Sequence, residues 1–262
     1  MITKKLPTIA NVTPGGRFVL QCPVGLTYQS VLFAMGGTTF DQTHLSKLTV
    51  KINGKSVQDF ATGQRLADLN SYYGRPDGAG FLSIHFTRPE LNPAWRHLPA
   101  LGTQDVDTLT IEGDIDAAAS ADLTLDAWAT LGPPSLLGAF LKIREFPYNF
   151  AAGTNEWDAI PKGPRIAAIH AMAGDVTHAE VELDGVKIFD ADKTTAQELQ
   201  KLAESRGRVP VAGFTSIDFL LTGELPDAVA TEGVQDRRLR VNKTAAGAAD
   251  LVLEMLDGFQ GI

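Results

Sequence analysis

The sequence predicts an all-β protein of two tandem eight-stranded jelly-roll β-sandwiches, a double jelly roll in which each sandwich also carries a short helix. Three observations lead to this fold class. A nearly identical strand occurs twice, each half contains a tight Asn-Gly or Asp-Gly turn, and Gly and Pro separate short alternating segments along the 262 residues.

The duplicated strand reads GFLSIHF at residues 80–86 and GFTSIDF at residues 213–219. Its apolar residues alternate with period two, which is typical of a strand with one face in the core. His85 and Asp218 occupy matching positions on the opposite face. The predicted core faces consist of Leu82, Ile84 and Phe86 in the first copy and of Ile217, Phe219 and Leu221 in the second.

The duplication extends upstream and downstream of this strand. Each half contains a hairpin, then a polar segment that can form a helix and that ends at a glycine, and finally an alternating strand that closes the half. The predicted pairs are the hairpins at 48–60 and 179–191, the helices at 63–74 and 195–207 with Gly74 and Gly207 as their stops, and the closing strands at 107–116 and 250–259.

A repeat near 130 residues is too long for a solenoid unit and indicates a domain duplication. The boundary is expected in the proline-bearing segment at 131–136. We therefore predict an N-terminal jelly roll at residues 1–133 and a C-terminal jelly roll at residues 134–262.

The composition excludes several function classes. The net charge is −8, no basic stripe is present, and direct nucleic-acid binding is therefore not expected. The single cysteine, Cys22, rules out an intrachain disulfide. The first residues do not have the pattern of a secretory signal, and no run of 18 apolar residues occurs. Sequence motifs of hydrolases, zinc proteases and nucleotide-binding loops are missing, so we expect no enzyme and no catalytic residues.

One acidic segment is a candidate site. In IEGDID, the carboxylates of Glu112, Asp114 and Asp116 alternate along a predicted strand, and neighbouring ones lie about 7 Å apart on one face. The segment has three interpretations: a solvated acidic strand face, a site for a hard cation such as calcium, or the carboxylate pair of a retaining glycosidase. Asp190 with Asp192 is a second candidate for a cation.

Two other features have competing interpretations. His85 and His170 lie in predicted strands, where a half-buried, locally hydrogen-bonded imidazole is the ordinary role. The proline-rich loop at 88–102 carries Trp95 and either folds onto its own sandwich or anchors an interface with another molecule.

Several segments together resemble the major capsid protein of corticoviruses, which are tailless icosahedral bacteriophages with an internal membrane. They occur in the same order in that family and span nearly the whole chain: FLSIHFTRPE, ALGT, GDIDAAA, PRIAAIHAMAG, VELDG, SIDFLLTGEL and VQDRRLRV.

The resemblance implies a double jelly-roll coat protein made in the cytoplasm of a bacterial host and located in the virion. It implies a homotrimer that forms a pseudo-hexameric capsomer, and capsomers that tile an icosahedral shell outside a membrane. Minor vertex and membrane proteins of the virion are its implied partners. The coat protein lies next to the lipid membrane but is not inserted into it. The family is associated with calcium.

The alternative interpretation is a two-domain carbohydrate-binding β-sandwich or glycoside hydrolase. It predicts a monomer with an aromatic platform for the sugar. The chain has only three Trp and four Tyr, and Tyr72 with Tyr73 is the only adjacent Tyr pair.

Overall fold

The computed structural model describes residues 1–202 and 207–259. Within them, the first sandwich has eight strands and the helix α1 (Gly63–Tyr72). The strands are β1 (Ile2–Lys5), β2 (Arg17–Cys22), β3 (Thr27–Gly36), β4 (Leu45–Ile52), β5 (Lys55–Thr62), β6 (Phe81–His85), β7 (Leu109–Ile115) and β8 (Thr124–Gly132).

The second sandwich repeats this series with one short addition. The helix α2 (Lys193–Lys201) occupies the place of α1. The described strands are β9 (Phe140–Phe150), β10 (Gly153–Trp157), β11 (Arg165–Ala171), β12 (Val176–Leu183), β13 (Val186–Asp192), β14 (Thr215–Asp218), the added two-residue β15 (Val229–Ala230), β16 (Arg237–Lys243) and β17 (Gly247–Asp257). No helix among the described residues is long and apolar enough to cross a membrane.

Each half has the strand order of a jelly roll. The first half pairs β1-β8-β3-β6 in one sheet and β5-β4-β7-β2 in the other. The second half pairs β14-β11-β17-β9 and β10-β16-β12-β13, which is the same order strand for strand. The predicted double jelly roll is therefore confirmed, and the two halves share one topology.

The two hairpins have the backbone that their sequences predict. Asn53 and Gly54 have φ of 48° and 78°, and Asp184 and Gly185 have φ of 46° and 80°. Positive φ at both central residues is the signature of the type I′ turn, which matches the twist of the flanking strands. Each hairpin also has a bulge at the same place, so its register is preserved between the halves.

The helix α1 starts at the predicted residue and ends next to its predicted glycine, whereas α2 starts two residues before the predicted residue 195 and does not reach its glycine. Thr62 caps α1 and Asp192 caps α2, each through a side-chain oxygen that accepts a backbone N–H. Gly74 follows the end of α1 with φ of 66°. The predicted stop at Gly207 is wrong, because α2 ends at Lys201. The predicted helix residues 203–206 lie outside the described residues.

The duplicated strand is buried as predicted in its first copy and differently in its second. Leu82, Ile84 and Phe86 are buried. In the second copy β14 ends at Asp218, whose carboxylate accepts the N–H of Leu220 at 2.8 Å and turns the chain. Leu220 is thereby fully buried, and the predicted core residues Phe219 and Leu221 are only half-buried.

The predicted closing strands are not equivalent. The segment 107–116 forms β7, and its counterpart in the second half is β16, whereas β17 corresponds to β8 at Thr124–Gly132. β8 pairs with both β1 and β3 in the first half, as β17 pairs with both β9 and β11 in the second. Alternation alone identified β7 as a strand but did not specify its partners.

The two sandwiches share a sheet and part of a core. β5 of the first half and β9 of the second run parallel where Gln58 pairs with Ile143, so two four-stranded sheets become one continuous sheet. The Gln58 side-chain amide donates to the Leu141 carbonyl at 2.9 Å. The apolar cluster of the first sandwich continues into Leu141, Ile143 and Val252 of the second.

Replacing Ile84 by Ala should lower the free energy of unfolding by about 2–5 kcal/mol, because the cavity opens in a fully buried strand face. Phe81 on the same strand is 41% exposed, and Phe81→Ala should lower it by about 1 kcal/mol or less. Denaturant titration of both variants measures the difference. Equal losses would show that the strand faces are assigned wrongly.

Candidate functional site

The two sandwiches meet at a junction that contains a cluster of buried charged groups. Arg88, in the loop after β6, is 1% exposed and pairs with the carboxylates of Glu90 and Glu254. Glu254 comes from β17 of the second half, and the Tyr73 hydroxyl donates to it at 2.9 Å. The first half therefore contributes a guanidinium, and the second half a carboxylate, to the same buried cluster.

The ring of Tyr73 is the centre of this cluster. Three guanidinium groups lie near its ring centroid, that of Arg88 at 4.2 Å, that of Arg75 at 5.2 Å and that of Arg208 at 5.5 Å. A desolvated guanidinium near an aromatic face is attracted by the ring quadrupole. Arg75 also lies 3.8 Å from the carboxylate of Glu90.

The second half completes the charge balance. Arg208 donates to the buried carboxylate of Asp218 at 2.7 Å. With Arg75, Arg88 and Arg208 opposite Glu90, Asp218 and Glu254, three positive charges face three negative ones. The first half supplies two Arg and one Glu, and the second half supplies one Arg, one Asp and one Glu. Electrostatic attraction therefore acts across the junction as well as within each half.

Two carboxylates of the cluster, those of Glu254 and Glu90, are kept ionised by their partners. Burial by itself would raise the pKa of Glu254, but Arg88, the nearby His170 and a hydrogen bond from Tyr73 hold its pKa well below the usual range. The pKa of Glu90 is lowered in the same way by Arg88 and Arg75 against the effect of burial. Protonation of either group would leave a guanidinium without its counter-charge.

The two strand histidines have different surroundings. His170 is fully buried rather than half-buried, its Nδ1 lies 2.7 Å from the Ser216 hydroxyl, and its Nε2 lies 3.4 Å from Glu254. His85 is partly buried, and burial, together with the nearby charge of Arg75, lowers its pKa to about 3. Both imidazoles lie at the junction between the halves.

The Trp95 loop also joins the two halves of the chain. The indole N–H of Trp95 donates to Glu224, and the Asn92 amide donates to the other oxygen of the same carboxylate at 2.6 Å. The Asn92 backbone N–H donates to the Gly223 carbonyl at 3.0 Å. The loop thus contacts both sandwiches: Leu101 pairs with Tyr28 of β3 in its own half, and Trp95 binds Glu224 of the second half.

The predicted carboxylates Glu112 and Asp114 lie on β7 with basic partners. Arg17 binds both at 2.9 Å, Lys51 pairs with Glu112, and Lys47 pairs with Asp114 at 3.1 Å. Hydrogen bonds from these lysines, more than any other effect, lower the pKa values of both carboxyl groups.

Asp116 lies beyond the end of β7 and is separate from the other two. Its carboxylate accepts the Ala118 N–H at 2.7 Å and stabilises a turn. Asp190 pairs with Lys187 and His178, and Asp192 caps α2. Across residues 1–202 and 207–259 no group of three or more His, Cys, Asp or Glu side chains is arranged to hold a metal ion. The calcium site stays a prediction.

The sequence reasoning missed the junction cluster. One signal could have located it, since Glu254 interrupts the apolar series LVLEML of β17. A carboxylate inside such a series is rarely buried without a partner. Arg88 gives no comparable signal, because it follows the end of β6 in a segment that has the composition of a surface loop.

Comparison with solved structures defines the class of the protein. The structure matches the crystal structure of the major capsid protein P2 from bacteriophage PM2 with a TM-score of 0.92 and 28% identity, covering 98% of this chain and 97% of that one. The STIV MCP matches with a TM-score of 0.69 at 12% identity, over 97% of this chain and 95% of that one, and shares the fold. The chain is thus a viral coat protein of the double jelly-roll class.

Sequence comparison then identifies the family. The N-terminal domain model of viral coat protein P2 matches residues 3–132, and the C-terminal domain model matches residues 140–259. The chain belongs to the viral coat protein P2 family and has the role of a major capsid protein. The major capsid protein P2 of Pseudoalteromonas phage PM2 is 30% identical in an alignment 262 positions long, which covers 96% of this chain and 95% of the phage protein. The resemblance drawn from the sequence motifs is confirmed, and the carbohydrate-binding alternative is not favoured.

Replacing Arg88 by Met should lower the free energy of unfolding by about 3–5 kcal/mol, because Glu90 and Glu254 would stay buried without their counter-charge. Arg17→Met removes a guanidinium that also binds two carboxylates but is 45% exposed, and it should cost about 1 kcal/mol or less. Unfolding in guanidinium chloride measures the loss of stability in both variants. A loss at Arg88 no larger than that at Arg17 would contradict the proposed importance of the cluster.

The lowered pKa of His85 should make stability depend on pH. The unfolded chain takes up a proton at this residue below its ordinary pKa of 6.5, whereas the folded chain does so only near 3, so stability falls as the pH drops through this window. His85→Gln should reduce the slope of unfolding free energy between pH 7 and 4. His97→Gln, in an exposed loop, is the control, and identical slopes for both variants would refute the assignment.

Proposed function

We propose that this coat protein assembles as a homotrimer whose six sandwiches form a pseudo-hexameric capsomer, and that capsomers tile an icosahedral shell. One observation carries the proposal. The junction holds two sandwiches of the same topology side by side through a continuous sheet and a shared core, so each chain supplies two similar building blocks in one fixed arrangement. Three such chains supply the six sandwiches of a capsomer with a six-fold outline.

The net charge also bears on assembly. Each copy carries eight uncompensated negative charges, and packing many copies in a shell multiplies their repulsion, which salt screens within about 8 Å. Calcium bound near Glu112, Asp114 and Asp116 would relieve this repulsion. The basic partners of Glu112 and Asp114 already neutralise part of the charge there, so an ion would have to compete with Arg17 and the nearby lysines.

The remaining partners follow from the same proposal. The shell lies next to a lipid membrane without entering it and contacts minor vertex and membrane proteins of the virion. The chain is synthesised in the host cytoplasm, contacts no nucleic acid directly, and acts by assembly rather than by catalysis. The acidic balance of charge and the coat-protein relatives support these statements.

Sedimentation velocity at micromolar concentration should show a species of three 28.1 kDa chains. Obligate contacts of this kind bury on the order of 2,000 Å² or more per pair, which keeps trimers intact at such concentrations. A carbohydrate-binding sandwich would sediment as a monomer. A monomer at every concentration, with no larger species in mild chemical crosslinking of intact particles, would contradict the proposal.

A further inference from the structure

We propose that neighbouring capsomers contact each other through unlike sandwiches, the outer side of β2, β7 and β4 in one capsomer against the outer side of β10, β16 and β12 in the next. We call these two surfaces the β7 face and the β16 face. The inference rests on the proposed function, because it presupposes capsomers that lie side by side in a shell.

Both faces consist of charged side chains that alternate with buried apolar ones along their strands. The β7 face contains Arg17, Lys47, Lys51, Glu112 and Asp114. The β16 face contains Glu156, Glu180, Glu182, Arg238 and Arg240. The first set has three basic and two acidic groups, and the second has two basic and three acidic groups, so the net charges of the two faces are opposite in sign.

The strand registers show which positions of the two faces are equivalent. The hairpins of the two halves coincide at their turns and bulges, so Thr49 of β4 corresponds to Glu180 of β12. Thr49 pairs with Glu112 of β7. Glu180 pairs with Arg240 of β16. Glu112 at the centre of the first face is therefore the equivalent of Arg240 at the centre of the second.

The surroundings of these two central groups are inverted as well. Basic side chains bind the carboxylate of Glu112, and acidic side chains bind the guanidinium of Arg240. The partners are Arg17 and Lys51 in the first case, and Glu156, Glu180 and Glu182 in the second. The β7 face thus has an acidic centre with basic neighbours, and the β16 face has a basic centre with acidic neighbours.

A second pair of equivalent positions has exchanged its charge. Lys51 directly follows the bulge in the first hairpin, and Glu182 directly follows the bulge in the second. Lys51 is therefore the equivalent of Glu182, with the opposite sign. A single sign change is common on a surface, but here the centre and one of its neighbours have both changed in a way that keeps each face internally paired.

The described part of the chain leaves both faces accessible. Arg17 on the β7 face and Glu156 on the β16 face are each 45% exposed. The central groups lie lower in the surface, with Glu112 at 14% and Arg240 at 25% exposure. A partner that covers the exposed outer charges would bring its own charges close to these central groups.

The partner that fits is a second copy of the chain. When the centre of a β7 face meets the centre of a β16 face, Glu112 of one copy lies next to Arg240 of the other. Two β7 faces would bring Glu112 against Glu112, and two β16 faces would bring Arg240 against Arg240. Opposite charges stabilise the unlike contact, and repulsion disfavours both like contacts.

The symmetry of the capsomer relates this preference to the packing of the shell. First and second sandwiches alternate around a three-fold capsomer, so opposite sides of its outline carry unlike sandwiches. Neighbouring capsomers in the same orientation therefore meet through one β7 face and one β16 face. A neighbour rotated by one sandwich would present like faces. The charges accordingly favour a single orientation for capsomers that lie side by side.

Charge reversal tests the pairing of Glu112 with Arg240. Glu112→Arg and Arg240→Glu should each raise the capsomer concentration at half assembly, measured by light scattering, by about tenfold or more, because an attractive pair becomes a repulsive one. The double variant should restore most of the loss. Neither substitution repairs the ion pairs that the other breaks within its own chain, so recovery reports a contact between copies.

Two control variants carry the same charge changes outside both faces. Glu232 lies in the loop before β16, Lys162 lies in the loop between β10 and β11, and both are exposed. Glu232→Arg and Lys162→Glu should leave the concentration at half assembly unchanged. An equal loss in these controls would show that overall charge, rather than the two faces, controls assembly.

A crosslinking test uses a variant that keeps the charge. Arg240→Lys supplies an amine, and a carbodiimide joins an amine and a carboxylate in an ion pair through an amide bond while it takes up the released water as a urea. Particles are assembled from separately prepared ¹⁵N-labelled and unlabelled capsomers. Peptides that link position 240 to Glu112 and carry one label each should form, because the two groups belong to different capsomers.

The results separate this inference from the function on which it rests. Recovery in the double variant together with mixed-label peptides would establish the contact. Trimers that assemble normally in both single variants, or particles in which position 240 is linked only within its own chain, would overturn the inference and leave the trimer in place. A wild type that is monomeric at every concentration would overturn the proposed trimer itself.

Discussion

The charged groups at the junction have to be buried as a neutral set, and the arrangement of both sandwiches depends on this constraint. A guanidinium as deeply buried as that of Arg88 destabilises the fold by several kcal/mol if it lacks a partner. One of its partners, Glu90, comes from its own half, but Glu254 comes from the other half. Separating the halves would expose Arg88 to water, but it would also break the apolar cluster that continues from one sandwich into the other. The chain is therefore one structural unit despite its duplicated sequence.

The duplication explains why the two halves have the same fold, and their divergence explains why they have different surfaces. The junction inside the chain forms once, during folding. It can therefore contain buried ion pairs, because these charged side chains are not exposed to water in the folded protein. A surface used for assembly has to stay compatible with water before the partner arrives. Ile188 and Leu199 of the second half are exposed, whereas Val57 and Leu69 at the corresponding positions of the first half are buried. The registers of the strands stayed constant while these side chains changed.

The acidic strand and the Trp95 loop show how far local sequence can be interpreted. Alternation placed Glu112 and Asp114 on one face of β7 correctly, but the basic residues beside them come from β2 and β4, nearly 100 and 60 residues earlier in the chain. The loop at 88–102 had the composition of a contact segment, and within the chain it contacts its own sandwich through Leu101 and the second sandwich through Glu224. In both cases the residue types indicated the chemistry, and the contacts came from distant segments.

The sequence by itself determined the hairpins with their type I′ turns, the duplicated strand, the start of α1 and the presence of two equivalent sandwiches, because periodicity and Gly conformations act over a few residues. Only the tertiary structure decided that β8 rather than β7 closes the first half, that β5 pairs with β9, and that Arg88 and Glu254 meet. Such pairings join segments more than 80 residues apart in the chain, as with the Gln58 amide and the Leu141 carbonyl. They depend on register and on the shape of the assembled core, which no local pattern of residues encodes.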